Sequence, residues 1–580
     1  MKYLSFQNEY DRYPTNRTEG CEGEAWSGWD RIRGELARSF CGRKILTVEC
    51  YPGVEEEALL ARLSRVADFG LVIRSAEIFP GPKELTDRMR PWLTDDRVRG
   101  IYCYGEVGDF VVPERVEAAR ERIRGSEKPV LVLGFAASLI TRGDLLVYAD
   151  LTRWEIQLRY RRGMPNYRAD NGDEDFLRKY KRGYFIEWRI ADRLKEALFS
   201  GMDYYLDTNE TEHPAMATGH ALRKGLHGLV NRPFRLVPYF DPGVWGGQWM
   251  KEVCGLEPDA PNYAWSFDGV PEENSLRFRM GETVLQVPAM NLTLMFPREF
   301  LGEKTYARFG AEYPIRFDFL DTMDGQNLSL QVHPTAEYIH RKFGMAYTQD
   351  ESYFILDTGE DGGVYLGLKE GIIPEEMIRD LELAQASADH PFPSEKYVNR
   401  FPAKKFDHFL IPAGTVHCSS RNCMVLEVSA TPYIFTFKLW DWDRLGLDGK
   451  PRPIHIEDGK RVIRFDRTTG WVRENLINRF SPIVDTPEYT EIKTGLHELE
   501  FIETRLLHVR KRATMETGGE FMMCNLVDGR GAVVESPENA FQPFEIHYAE
   551  TFILPAGVAR ASVRPMGCDE IRILRASVRF

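Results

Sequence analysis

Leu328-Ser329-Leu330-Gln331-Val332-His333-Pro334 is the stretch on which the reading of this chain turns. In a strand, residues two apart face the same way, so Gln331 and His333 can converge on one ion. Further on, Asp350-Glu351-Ser352-Tyr353-Phe354-Ile355-Leu356 offers a carboxylate at the mouth of another strand. Later still, Pro412-Ala413-Gly414-Thr415-Val416-His417 sets a Pro-x-Gly-x-x-His turn ahead of a strand. One His or Gln in a strand is usually a satisfied polar group, and Pro-x-Gly alone is only a turn. Four donors in order, each at a strand position, predict a divalent-metal site built from Gln331, His333, Glu351 and His417. Two oxygens and two imidazole nitrogens suit zinc, and iron, manganese or cobalt would also be accommodated. Asp350 rivals Glu351 for the carboxylate position, and His340 rivals His333.

Around this segment the chain is turn-rich, with short runs at Ser329–His333, Ser352–Leu356, Phe409–Pro412 and Met424–Val428. That texture predicts a β-barrel or sandwich, interrupted by a helical insert near Lys369–Ser387. Thr551–Gly557 (TFILPAG) echoes Phe409–Gly414 (FLIPAG), which points to a second, related barrel. Before Leu226 the pattern differs. Candidate strands Lys44–Glu49, Gly70–Arg74, Gly100–Tyr104, Pro129–Leu133 and Asp144–Tyr148 alternate with helical stretches such as Val54–Phe69, Pro113–Gly125 and Asp173–Ser200. β-branched runs separated by helices predict a parallel sheet covered on both faces. The expected layout is therefore multidomain: an α/β domain over 1–225, a metal-binding barrel with its helical insert over 226–470, and a second barrel over 471–580.

Residues of about 230–580 carry a family resemblance. Gln-Val-His-Pro, a Glu opening the next strand and Pro-Ala-Gly-Thr-Val-His resemble class I mannose-6-phosphate isomerase, a zinc-dependent double cupin that interconverts phosphorylated aldoses and ketoses. Val244-Trp245-Gly246-Gly247, Phe319-Leu320-Asp321, Lys369-Glu370-Gly371 and Lys438-Leu439-Trp440-Asp441-Trp442-Asp443-Arg444 also fit. The resemblance implies Zn2+ on Gln331, His333, Glu351 and His417. It further implies proton handling or oxyanion stabilisation by Lys438 and Glu427, and a sugar or sugar phosphate held near Ser329, Gln349 and Trp245, the last at the rim. Two departures stand out. Gln349 occupies a position where the family has Lys, and Lys438 one where it has Arg. Lys keeps the charge but not the planar fork, and Gln keeps no charge. An isomerase is the first expectation. A metal-bearing, sugar-sensing cupin without turnover is the second, and an iron-dependent oxygen-using cupin the third.

The first 225 residues resemble P-loop nucleoside or uridine kinases in strand order, and in Asp144–Leu151 followed by an arginine-bearing helix with Arg159-Tyr160-Arg161-Arg162. The Gly-Lys-Ser/Thr loop that cradles phosphates is missing. Cys50-Tyr51-Pro52-Gly53-Val54-Glu55-Glu56-Glu57 stands in its place, where Pro52 lacks an amide donor and the glutamates repel anions. A pseudokinase-like domain without phosphoryl transfer is expected. Tyr180, Tyr184 and Trp188 at i, i+4, i+8 read as a packing seam.

With 580 residues and 43% hydrophobic content, the chain has material for two or three cores. A net charge of -13 argues against a nucleic-acid partner. Nine scattered cysteines without a CxxC read as reduced thiols. No apolar run approaches the ~20 residues that span a bilayer, so a soluble cytoplasmic protein is expected. Oligomeric state is not legible.

Overall fold

The structure, a computed structural model, describes residues 2–387, 389–432, 434–446, 449, 452, 454–495 and 497–580. The chain forms two compact units. One comprises Thr15–Gly228 and Glu272–Phe296, and the other Met1–Pro14, Leu229–Pro271 and Pro297–Phe580.

The first unit is built on a seven-stranded sheet. Five strands run parallel in the order Leu71–Arg74, Val130–Gly134, Ile45–Cys50, Leu145–Asp150, Tyr204–Asp207. Antiparallel strands Ala215–Thr218 and Ala25–Ser27 complete one edge. Val130–Gly134 and Leu145–Asp150 are buried along their whole length, as expected of strands covered on both faces. Glu272–Phe296 lies inside the stretch expected to begin the barrel, yet it packs with this unit. Its hairpin, Ser275–Met280 with Thr283–Pro288, pairs with Thr15–Arg17. Glu272 accepts from Arg153 at 2.7 Å, and Glu273 from Gln157 at 2.6 Å.

The strand expected at Gly100–Tyr104 does not form. Its amides are claimed by other elements, Ile101 N–H donating to Trp92 O at 2.8 Å and Cys103 N–H to Phe185 O at 2.9 Å. The expected long helix over Asp173–Ser200 is three pieces, with a π-helical turn Gly183–Glu187 between Phe176–Arg182 and Trp188–Phe199. A side chain at Gly183 would meet the Trp188 indole at 3.0 Å. Tyr180, Tyr184 and Trp188 are buried and pack on one another, with Tyr180 and Trp188 centroids 5.4 Å apart. They form a packing seam.

The second unit is β-rich. A six-stranded sheet runs in the order His408–Ile411, Glu351–Thr358, Cys423–Ala430, Ile315–Asp321, Trp265–Gly269, Tyr239–Asp241. A five-stranded sheet runs Val398–Pro402, Gly363–Leu368, His417–Ser419, Leu330–Val332, Phe437–Trp440. The helical insert is Pro374–Ala386, with Pro374 at its start and Glu375 and Glu376 in its first turn, both favourable there. From Ser481 onward a six-stranded and a four-stranded sheet follow. Their apolar faces enclose Leu507, Phe552, Val563 and Ile573. Ile502–Val509 and Ile571–Val578 alternate between buried and half-buried positions, the period-two pattern of strands with one face in a core.

His408, at the start of the edge strand His408–Ile411, is fully buried, and neither ring nitrogen has a hydrogen-bond partner among the described residues. Burial lowers its pKa from 6.5 to about 3. The unfolded chain therefore takes up a proton below about pH 6.5 that the native chain refuses, so stability falls as pH drops. At about 1.4 kcal/mol per unit, acidification to pH 4.5 should cost up to about 3 kcal/mol through this residue. His408→Leu should show a correspondingly shallower loss in urea unfolding across that range, and an unchanged slope would refute the assignment.

Candidate metal centre

The donors are delivered by two sheets. Gln331 lies directly opposite His417 on one side and Lys438 on the other, so register places all three at neighbouring positions of one sheet. On the other sheet, Glu351 pairs with Ser429 and Tyr353 with Glu427. Asp318 lies opposite Glu427, and Arg316 opposite Ser429. Directly opposed residues share a face, so Glu351, Ser429 and Arg316 form one row, with Tyr353, Glu427 and Asp318 in the next. The Tyr353 ring meets the His417 ring edge-on at 5.8 Å, so the two sheets face each other here.

His333 Nε2 is 3.0 Å from Glu351 Oε2, and His417 Nε2 is 2.8 Å from Glu351 Oε1. These three residues group as a potential metal-binding set and are buried. Each imidazole turns its other nitrogen to a backbone carbonyl, His333 Nδ1 to Phe435 O at 3.3 Å and His417 Nδ1 to Thr415 O at 2.9 Å. An Nδ1–H donating there leaves the lone pair on Nε2, the tautomer a metal requires. Neither His333 Nε2 nor Glu351 Oε1 has a hydrogen-bond partner among the described residues. Two lone pairs and a carboxylate turned on one point, away from water, is an arrangement that a cation satisfies. The Gln331 amide nitrogen lies 3.2 Å from His417 Nε2. Which amide atom faces inward is an assignment, and a half-turn places Oε1 toward the same point.

The turn before His417 is fixed by its surroundings. Gly414 has φ +91°, and a Cβ there would meet Arg464 Cγ at 2.6 Å and Val462 O at 2.9 Å. Its N–H donates to His333 O at 2.9 Å, while Arg467 Nη1 donates to Pro412 O at 2.6 Å. Asp350 is not an alternative ligand. Its Oδ1 accepts from Ala413 N–H at 2.8 Å, which ties it to this turn. His340 is no rival either, being exposed on a helix with Nδ1 at 3.3 Å from Met345 O.

The remaining expected site residues divide. Gln349 donates to Glu351 Oε2 at 3.2 Å, supporting the carboxylate without adding charge. Glu427 is buried, accepts from Ser429 Oγ at 2.8 Å and lies 3.6 Å from Arg316 Nη2. Burial, and then the charge of Glu351, push its pKa well above the usual carboxylate range. Lys438 is half-buried on the strand beside Gln331. Ser329 donates to Asp441 at 2.8 Å, in a cluster where Arg444 and Arg452 reach Asp441 at 2.6 and 2.7 Å. Trp245 is not at a rim. It has no exposed surface and packs edge-on against Trp265 at 4.7 Å. The glycines beside it serve packing too, since a Cβ on Gly247 would strike Asp321 Oδ1 at 2.0 Å. Arg316, Asp318 and Tyr353 are the polar neighbours that the sequence reading missed. The available signal was Ile315–Asp321 itself, an apolar strand with charges two residues apart.

Residues 28–231 match the model of a domain of unknown function, DUF8485. Mannose-6-phosphate isomerase ManA of Bacillus subtilis (strain 168) is 23% identical over 338 residues, which is 57% of this chain and 95% of that protein. The mannose-6-phosphate isomerase of Streptococcus mutans serotype c is 24% identical over 256 residues, 43% of this chain and 74% of that protein. A crystal structure of the Bacillus subtilis mannose 6-phosphate isomerase covers 60% of this chain and 99% of its own, with 17% identity and a TM-score of 0.47. The C-terminal region, about 57% of the chain, is thus homologous to mannose-6-phosphate isomerases. That similarity supports an enzyme of the isomerase class.

Proposed function

We propose that the second unit is a double cupin acting as a zinc-dependent aldose–ketose isomerase, on mannose 6-phosphate or a related sugar. The observation that carries this reading is the convergence of His333 Nε2 and His417 Nε2 on the two Glu351 oxygens, at 3.0 and 2.8 Å, from two sheets. Zinc bound there would act as a Lewis acid on the oxygens of an open-chain sugar. The chain's own residues would do the rest. Conversion requires that C2 of the aldose lose a proton and O1 gain one, giving an enediol. O2 then loses its proton and C1 gains one. Glu427, buried and with its pKa pushed up, is the group suited to protonating oxygen or carbon. Lys438 supplies positive charge for the enediolate oxygen. Gln349 keeps Glu351 oriented.

A second reading is favoured by Gln349 itself. It brings no charge to a position where the resemblance implies a lysine, which fits a metal-bearing sugar sensor without turnover. Either way, the first unit reads as a kinase-like fold that has lost phosphoryl transfer. Glu49 accepts from Ala136 N–H at 2.6 Å and Ser138 N–H at 2.7 Å, and Glu56 accepts from Phe135 N–H at 2.9 Å, so carboxylates take up these amides beside the first parallel strand.

The test is direct. The full chain is stripped of metal, reloaded with zinc and assayed on mannose 6-phosphate and a panel of aldoses and aldose phosphates. Ketose formation from at least one is expected. Stoichiometric zinc with no isomerisation of any would leave the sensor reading, and stoichiometric iron instead would favour oxygen chemistry.

A further inference from the structure

We propose that Cys21, Glu24 and His220 form a second divalent-metal site, in the first unit and independent of the centre described above. Their donor atoms, one sulfur, one carboxylate oxygen and one imidazole nitrogen, all lie within 4.8 Å of one another. Ligands of a tetrahedral zinc sit roughly 3.3–3.8 Å apart, given bonds of about 2.0–2.3 Å. Small side-chain adjustments would close the set on an ion.

The backbone builds the arrangement. Cys21-Glu22-Gly23-Glu24 is a turn closed by Glu24 N–H donating to Cys21 O at 3.0 Å, which brings residues three apart together. The strand Ala25–Ser27 leaves this turn and pairs antiparallel with Ala215–Thr218. Thr218 N–H donates to Glu24 O at 2.9 Å, so the start of one strand is pinned to the end of the other. His220 follows at once, in the first turn of helix Gly219–Leu229. Two segments far apart in sequence thus deliver their donors to one place. His220 Nδ1 lies 3.0 Å from Glu24 Oε2, and the Thr218 hydroxyl donates to the same carboxylate and orients it.

The donor chemistry selects the ion. A thiolate and an imidazole prefer zinc, cobalt or copper over magnesium or calcium. Cys21 is buried while His220 is exposed, so sulfur sits at the base and the fourth position opens to solvent. Three protein ligands and an open position describe a reactive or exchangeable zinc site more than a closed structural one. Lys224 stands nearby, its Nζ donating to Glu19 O at 2.8 Å. Its charge weighs against hard cations held by electrostatics alone.

Cobalt(II) titration of the metal-stripped full chain tests this, because the Gln331/His333/Glu351/His417 centre contains no sulfur. A near-ultraviolet thiolate-to-cobalt charge-transfer band therefore reports only a cysteine-bearing site. The expected result is one further equivalent of cobalt with that band. Cys21→Ser should abolish the band and leave the first equivalent bound. His220→Ala, at an exposed position that tolerates truncation, should weaken the second equivalent at least about tenfold. Cys41→Ser, which changes an exposed thiol elsewhere, should alter nothing. No band at any cobalt concentration, or a band undiminished in both Cys21→Ser and His220→Ala, overturns the proposal.

Discussion

His417→Ala should lower the zinc affinity of the main centre by more than about 100-fold and remove isomerase turnover. Losing an outer-sphere partner typically costs 10–100-fold in metal affinity, and here a donor itself is removed. His417 Nε2 lies 2.8 Å from Glu351 Oε1 and its ring is held by Thr415 O, so no other side chain can adopt its position without rebuilding the turn. Asp350, the nearest spare carboxylate in sequence, is engaged with Ala413 N–H. A metal at a thousandfold excess over its Kd stabilises the native state by about 4 kcal/mol. Chelation should therefore lower the melting temperature of the wild type by clearly more than that of His417→Ala, and should leave the double variant His417→Ala/Cys21→Ser almost unmoved. Asp350→Asn is the control, expected to retain zinc. Wild-type zinc affinity in His417→Ala would refute the ligand assignment.

The sequence made the candidate metal residues legible because their spacing carries the pairing. Gln331 and His333 share a face by strand periodicity, and Gly414 marks a backbone conformation that few other residues adopt. The parallel sheet was legible for a similar reason, since uninterrupted apolar strands such as Leu145–Asp150 belong only between covering layers. What failed was decided by tertiary contacts. Gly100–Tyr104 has a strand's composition, but Trp92 and Phe185 claim its amides. Trp245 stands in a matched sequence pattern, but its indole packs against Trp265. Glu272–Phe296 reads like its β-rich neighbours, and strand pairing with Thr15–Arg17 together with the arginine and glutamine partners of Glu272 and Glu273 draws it into the other unit. Arg316 and Asp318 escaped notice because their meaning depends on Glu427, on a strand far away in sequence.

That row of buried charges leads to the second large effect. Glu427→Gln should leave zinc bound and the unit folded, yet lower kcat by about 10²–10⁴, the usual contribution of a positioned acid or base. Burial and the neighbouring Glu351 push the Glu427 pKa well above the ordinary carboxylate range, which favours the protonated form. Glutamine matches that neutral form in size and can still accept the Ser429 hydroxyl, so the ground state changes little. It cannot release a proton, so only the transition state suffers. The pH profile separates this from a structural role. A carboxyl with a raised pKa serves as an acid only while protonated, so wild-type kcat should fall as pH climbs through that raised value. The residual activity of Glu427→Gln should lack that fall. Lys438→Gln offers the contrast, since losing charge beside Gln331 should raise KM as well as lower kcat if the cation also holds the substrate. An unchanged kcat in Glu427→Gln would transfer proton movement to another group on the same face, of which Tyr353, packed against His417, is the nearest by register.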